Sequence, residues 1–169
     1  MTAFVYRMPS GVPGALSRTG LALAVEPAVL LSGSAPAAYG LPVAVDAATG
    51  HVRAINAGDT AASVYGFLVR PFPTQGGDGQ STGLGVSAPP TSGAVDVLKL
   101  GYMSVQVTNG TPSKGSTVYV RVAANAALPS TSVGDVEAAA DGTNTVALTN
   151  AYFTGAADSS GNAEIAFNV

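Results

Sequence analysis

A serine flanked by glycines at two-residue spacing, Gly79-Gln80-Ser81-Thr82-Gly83, is the one stretch that resembles a nucleophile elbow. Such an elbow needs an apolar strand before the serine and a helix after it, with the histidine base later in the chain. Neither element is expected here, and the sole histidine, His51, precedes the serine. The motif therefore reads as a Gly/Ser-rich loop. His51 itself has no second histidine and no cysteine to complete a transition-metal site, and it reads as a surface residue at the start of a strand. The aspartates Asp46, Asp59, Asp78, Asp135, Asp141 and Asp158 stand singly at turn-like positions. A calcium loop needs several oxygen donors at fixed offsets, so these read as turn formers. Gly76-Gly77-Asp78-Gly79 lacks the spacing and the following helix of a phosphate cradle. Asn109-Gly110-Thr111 matches a glycosylation acceptor, but reads more simply as a chain reversal. With no cysteine, thiol chemistry and disulfides drop out together. No catalytic residue, no metal ligand and no cofactor is assigned, and the expectation is a protein that is not an enzyme.

Composition narrows the classes further. The 169 residues suit one domain, and at 47% apolar content they can build a core, though mostly of Ala and Val. Charged residues make up only 10%, with a net charge of −3 and seven basic residues spread singly. A nucleic-acid binder normally gathers a basic patch, so direct nucleic-acid contact is not expected. No apolar run reaches the roughly 18 residues of a membrane span, and no membrane partner is expected. The apolar stretch 21–31 contains Glu26 and Pro27, which argues against a signal peptide; the protein is expected to be made and used without export.

The elements that would position any site are strands. Twenty-one glycines and eleven prolines interrupt the chain too often for long helices. Alternating or β-branched runs lie between them at 41–45, 51–55, 64–69, 95–98, 102–107, 117–122, 145–148, 151–153 and 164–169. These nine short strands predict an all-β, jelly-roll-like sandwich or barrel. Gly50 is expected to take a positive φ in the turn that begins at Asp46, and Asp158-Ser159-Ser160-Gly161-Asn162 to close a C-terminal hairpin. Period-two alternation turns Met103, Val105 and Val107 to the core and Tyr102, Ser104 and Gln106 away. It likewise points Val118, Val120 and Val122 inward and Tyr119 and Arg121 outward. The stretch from Tyr65 to Pro73 is apolar on both faces and reads as a central strand.

Residues 1–23 form an irregular segment with two prolines and no acidic residue. They read as an extended N-terminal arm, followed by a single β domain at 24–169 with an exposed Gly/Ser/Pro loop at 76–93. Phe4, Tyr6, Arg7 and Arg18 lie on this arm, and aromatic and arginine side chains are frequent interface anchors. They are the candidate partner contacts. The alternative is an ordered terminus packed on its own domain.

The chain resembles the cement, or head-decoration, proteins of short-tailed bacteriophages with HK97-like capsids. The resemblance lies in Arg7-Met8-Pro9 with Gly11-Val12-Pro13-Gly14, in Val25-Glu26-Pro27 and in Tyr39-Gly40-Leu41-Pro42-Val43. It continues in Tyr65-Gly66-Phe67-Leu68-Val69-Arg70-Pro71-Phe72-Pro73-Thr74-Gln75, Gly101-Tyr102-Met103-Ser104-Val105 and Val118-Tyr119-Val120-Arg121-Val122. It ends in Asn162-Ala163-Glu164-Ile165-Ala166-Phe167-Asn168-Val169. It implies a jelly-roll-like domain on the outer surface of the virion's capsid. There it would bridge neighbouring major capsid proteins and stabilise the shell against DNA pressure. It also implies a homo-oligomer, with a dimer favoured and a trimer as the alternative. A tail-associated or receptor-binding β module is the competing virion role. A carbohydrate-binding jelly roll fits less well, because the chain has no Trp.

Overall fold

The computed structural model describes residues 11–18, 20, 22–71 and 88–169. Nine strands follow in order: β1 Ala24–Leu30, β2 Pro42–Val45, β3 Val52–Ala54, β4 Gly66–Leu68, β5 Gly93–Gln106, β6 Thr117–Arg121, β7 Val136–Glu137, β8 Thr145–Phe153 and β9 Asn162–Phe167. Two single 3₁₀ turns are the only helical pieces among the described residues. The fold is all-β, as the glycine and proline spacing demands.

Five strands close a small barrel in the order β1-β3-β2-β4-β5, with β5 returning antiparallel to β1. The second sheet runs β5-β9-β8-β6-β7, and a parallel bridge from Val107 to Val136 brings β7 back to the end of β5. The 14-residue β5 belongs to both sheets. It passes from one to the other at Gly101, whose φ of 136° makes the corner. A Cβ there would stand 3.0 Å from Leu23 Cδ1.

Strand alternation divides the core in two. Val43, Leu68 and Val97 join Leu30, Tyr39 and Val52 inside the small barrel. Their neighbours Ala44, Phe67 and Leu98 point the other way, into the larger core with Met103, Val118, Phe153 and Phe167. Phe67 meets Phe167 edge to face at 5.1 Å between ring centroids. The two-faced apolar run through Phe67 and Leu68 thus belongs to a central strand, as its pattern implied. Val118, Val120 and Val122 are buried as expected, and Gly50 takes its positive φ. The Asp46 carboxylate accepts from Thr49 N–H and Oγ1 in that turn. Asp158 caps the last hairpin by accepting from Ser160 N–H.

Three expectations change. The runs 95–98 and 102–107 are one strand, β5, and 145–148 and 151–153 are one strand, β8. β1 and β7 were not expected at all. Pro27 sits in β1 because residues 24–29 pair only with β5 and leave their other side free, the one place in a sheet where a missing N–H costs nothing. Arg121, expected outward, is fully buried. It does face away from the core, but an ion cluster covers it.

Residues 11–18 of the expected arm lie along β5 as a strap. Gly14 N–H donates to Ser104 O at 2.8 Å, Ser104 N–H to Ala15 O at 2.9 Å, and Ser17 N–H to Tyr102 O at 3.2 Å. Arg70 N–H binds Gly14 O from the other side at 2.8 Å. The strap is why Ser104, on the side away from the core, is completely buried.

Candidate functional site

Arg18 lies at the end of the strap, folded back on its own domain. Its Nε donates to Glu164 Oε1 at 3.1 Å, its Nη2 binds Oε2, and its guanidinium carbon sits 4.2 Å above the Tyr102 ring. Tyr102, Ala166 and Tyr152 stand in register across β5, β9 and β8. Arg18 and Tyr152 remain substantially exposed, so an arginine and two tyrosines are held in fixed positions on the surface. Preordered Arg and Tyr side chains lose little entropy on docking. Phe4, Tyr6 and Arg7 lie outside the described residues, as do the Ser81 motif and the Gly76–Gly79 run.

The second cluster was invisible in the sequence. Arg121 on β6 binds both carboxylate oxygens of Glu137 on the two-residue β7, and its Nη1 lies 2.9 Å from Asp141. Nη1 also donates to Ala123 O at 3.2 Å, and Asn109 Nδ2 donates to Glu137 Oε2 at 2.9 Å. Asn125 donates to both oxygens of Asp141, at 3.0 and 2.8 Å. Asn109 is therefore a member of a buried network, which fixes β7 to β6 and so closes the second sheet.

The third feature is an opening in the small barrel. β1 joins β3 only at Leu30–Val52, and the rest of β1 stands away from the β2–β3 hairpin. Val29, 47% exposed, and Val45, 37% exposed, line the gap with Pro27, His51 and Tyr65. Tyr65 Oη donates across it to Glu26, at 2.7 and 2.8 Å from the two oxygens. His51 is half-buried on this wall.

These ion pairs set the response to acid. The Arg53 hydrogen bond lowers the Asp59 carboxyl, and the Asn125 hydrogen bond lowers Asp141 with help from Arg121. Burial pushes Glu164 up, but hydrogen bonds from Arg18 and Thr154 outweigh it and the net shift is downward. Asp135 moves the other way, raised by its burial. A carboxylate lowered on folding stabilises the fold above its unfolded pKa and loses that contribution as pH falls through its folded value. The melting temperature is therefore expected to fall as the pH drops below about 4. Asp59→Asn should remove part of that slope, and calorimetry from neutral pH downward checks it. Asp135 contributes with the opposite sign.

No three His, Cys, Asp or Glu side chains gather as a metal site among the described residues. The polar groups described above hold strands together or present surface. The model of the XM1 gp53 minor capsid protein family matches residues 1–167, and the chain belongs to this family. A chain of the solved structure described as "The capsid of Myoviridae Phage XM1" shares the fold. It superposes with a TM-score of 0.67 at 19% identity, covering 98% of this chain and 95% of that one. Among curated proteins none matches. The protein is a structural component of a bacteriophage capsid, associated with the shell in the virion, in keeping with the decoration-type resemblance of its sequence.

Proposed function

We propose that the protein binds the outer surface of the capsid and bridges neighbouring major capsid proteins, opposing the outward pressure of packaged DNA without catalysing a reaction. The observation that supports this best is the extent of the family match. It begins at residue 1 and so includes the ten residues that precede the anchored strap. Phe4, Tyr6 and Arg7 reach the shell, while Arg18 and the two tyrosines meet it from the sheet surface. Paired copies touching two coat subunits gain avidity from effective concentration.

The test is titration of shells that lack this protein with the full chain and with a variant missing residues 1–10. That variant keeps the strap, so its melting temperature should be unchanged. Three interface anchors at over 1 kcal/mol each predict a loss of affinity of about 100-fold. Undiminished binding would remove the arm from the interface. Electron cryo-microscopy locating the protein at the tail would overturn the reading as a whole.

A further inference from the structure

We propose that the opening between β1 and the β2–β3 hairpin is a docking slot for an extended segment of the coat protein, one presenting a carboxylate flanked by apolar side chains, with Lys99 receiving the carboxylate. This rests on the capsid-binding reading above and names the contact that the domain itself supplies.

The charge distribution points to an acidic guest. Arg18, Arg53 and Arg121 are each neutralised by a carboxylate within the chain. Lys99 is partly buried beside the same gap, yet among the described residues no carboxylate lies at ion-pairing distance. Its Nζ donates to the backbone oxygen of Tyr65 and rests over that ring, leaving ammonium hydrogens without a charged acceptor. Glu26, the carboxylate across the gap, is held by the Tyr65 hydroxyl. Burial lowers the Lys99 ammonium, and the Glu26 carboxylate across the gap offsets this only in part. An incoming carboxylate would supply the rest.

The shape points to an apolar, extended guest. The hollow over Lys99 and Asn168, about 420 Å³, adjoins the gap at β1, about 350 Å³, with Val45 and Tyr65 as walls of both. Val29 and Val45, two of the large apolar side chains left exposed, line the gap. Clustered exposed apolar groups mark interaction surfaces. Pro27 deprives the free edge of a donor, so strand addition along the whole of β1 is disfavoured and side chains do the recognising. A second copy of this chain is a poor guest. Eight of its carboxylates are already held: Glu26, Asp46, Asp59, Asp135, Glu137, Asp141, Asp158 and Glu164.

Shells lacking the protein are titrated with the wild-type chain, Lys99→Met, Lys99→Arg and Val29→Ser, each first shown to melt like wild type. Lys99→Met should weaken binding about 10-fold or more and flatten its salt dependence. Lys99→Arg, which keeps the charge and the donor to Tyr65 O, should stay within about 3-fold, and Val29→Ser should lose about 3- to 10-fold. Wild-type binding with Lys99→Met and Val29→Ser unaffected overturns the slot and leaves the capsid role standing. Failure of the wild type to bind shells overturns both. Self-association of the free chain that Lys99→Met abolishes, seen by sedimentation, makes a second copy the guest and overturns the coat-protein assignment.

Discussion

Arg121→Met is expected to destabilise the protein by about 3–5 kcal/mol, lowering the melting temperature by roughly 10 °C. Arg121 is completely buried, and so is Glu137. Removing the guanidinium leaves the Glu137 carboxylate with Asn109 as its remaining side-chain donor, and an uncompensated buried charge is among the costliest defects a fold can hold. The three acidic and basic positions should not respond alike. Glu137→Gln leaves Arg121 its contacts with Asp141 and Ala123 O and should cost less than Arg121→Met. Asp141→Asn touches a partly exposed side chain that water can reach and should cost least. The double variant Arg121→Met/Glu137→Leu should recover much of the loss, because a packed apolar pair of similar volume often matches a buried ion pair. Urea unfolding at constant m-value measures all four. If Arg121→Met falls within about 1 kcal/mol of wild type, the pair is not what holds β7 in place.

The parts of this fold that local pattern dictates were legible, and the parts that depend on what lies opposite were not. Val118, Val120 and Val122 alternate cleanly and all face the core. Asp46 and Gly50, or Asp158 and Gly161, mark turns through backbone chemistry that needs no tertiary partner. Residues 24–30 form a strand despite Pro27, which fits there because the edge is free, and a free edge is defined by strands elsewhere in the chain. Gly101 looked like a gap between two strands and is the corner of one. β7 is two residues long, too short to show any period. Arg121 was placed on the correct side of its strand, yet alternation says nothing of Glu137 and Asp141 arriving to bury it. Of the candidate contacts, Arg18 is held on its own domain by Glu164 and Tyr102, partners 146 and 84 positions away in sequence. The gap at β1 and the hollow over Lys99 have no sequence signature either, since β1, β2, β3 and β5 each contribute to their walls.

Gly40→Ala is expected to release the strap while leaving the domain folded. Gly14 and Gly40 meet back to back with φ of 83° and 82°. A Cβ on Gly40 would stand 2.7 Å from Gly14 N and 3.2 Å from Ser104 O; one on Gly14 would stand 2.5 Å from Tyr39 Cβ. Neither neighbour can shift by a few tenths of an ångström while Gly14 N–H stays bonded to Ser104 O and Gly40 N–H to Leu68 O, both at 2.8 Å. Two routes relieve the clash, unfolding the domain or lifting residues 11–18. Lifting is the less costly. The strap is held by backbone hydrogen bonds at a sheet edge, where water can replace them, with Leu16 only partly buried against the core and Arg18 paired with Glu164 at its exposed end. Its departure also uncovers Ser104 Oγ, a buried hydroxyl that makes no hydrogen bond within the described residues and regains about 1–3 kcal/mol of hydration. Hydrogen exchange should therefore show Ser104 and Ser17 amides losing about 100-fold of protection or more, with Val120 on β6 nearly unchanged. Ser104→Ala should act in reverse and tighten the strap, since it removes the buried hydroxyl without touching the backbone bonds. Equal loss at Ser104 and Val120 in Gly40→Ala would mean that strap and domain unfold as one unit. The proposed arm would then have to leave from the domain surface itself, and shell binding by Gly40→Ala would fall only as far as its folded fraction does.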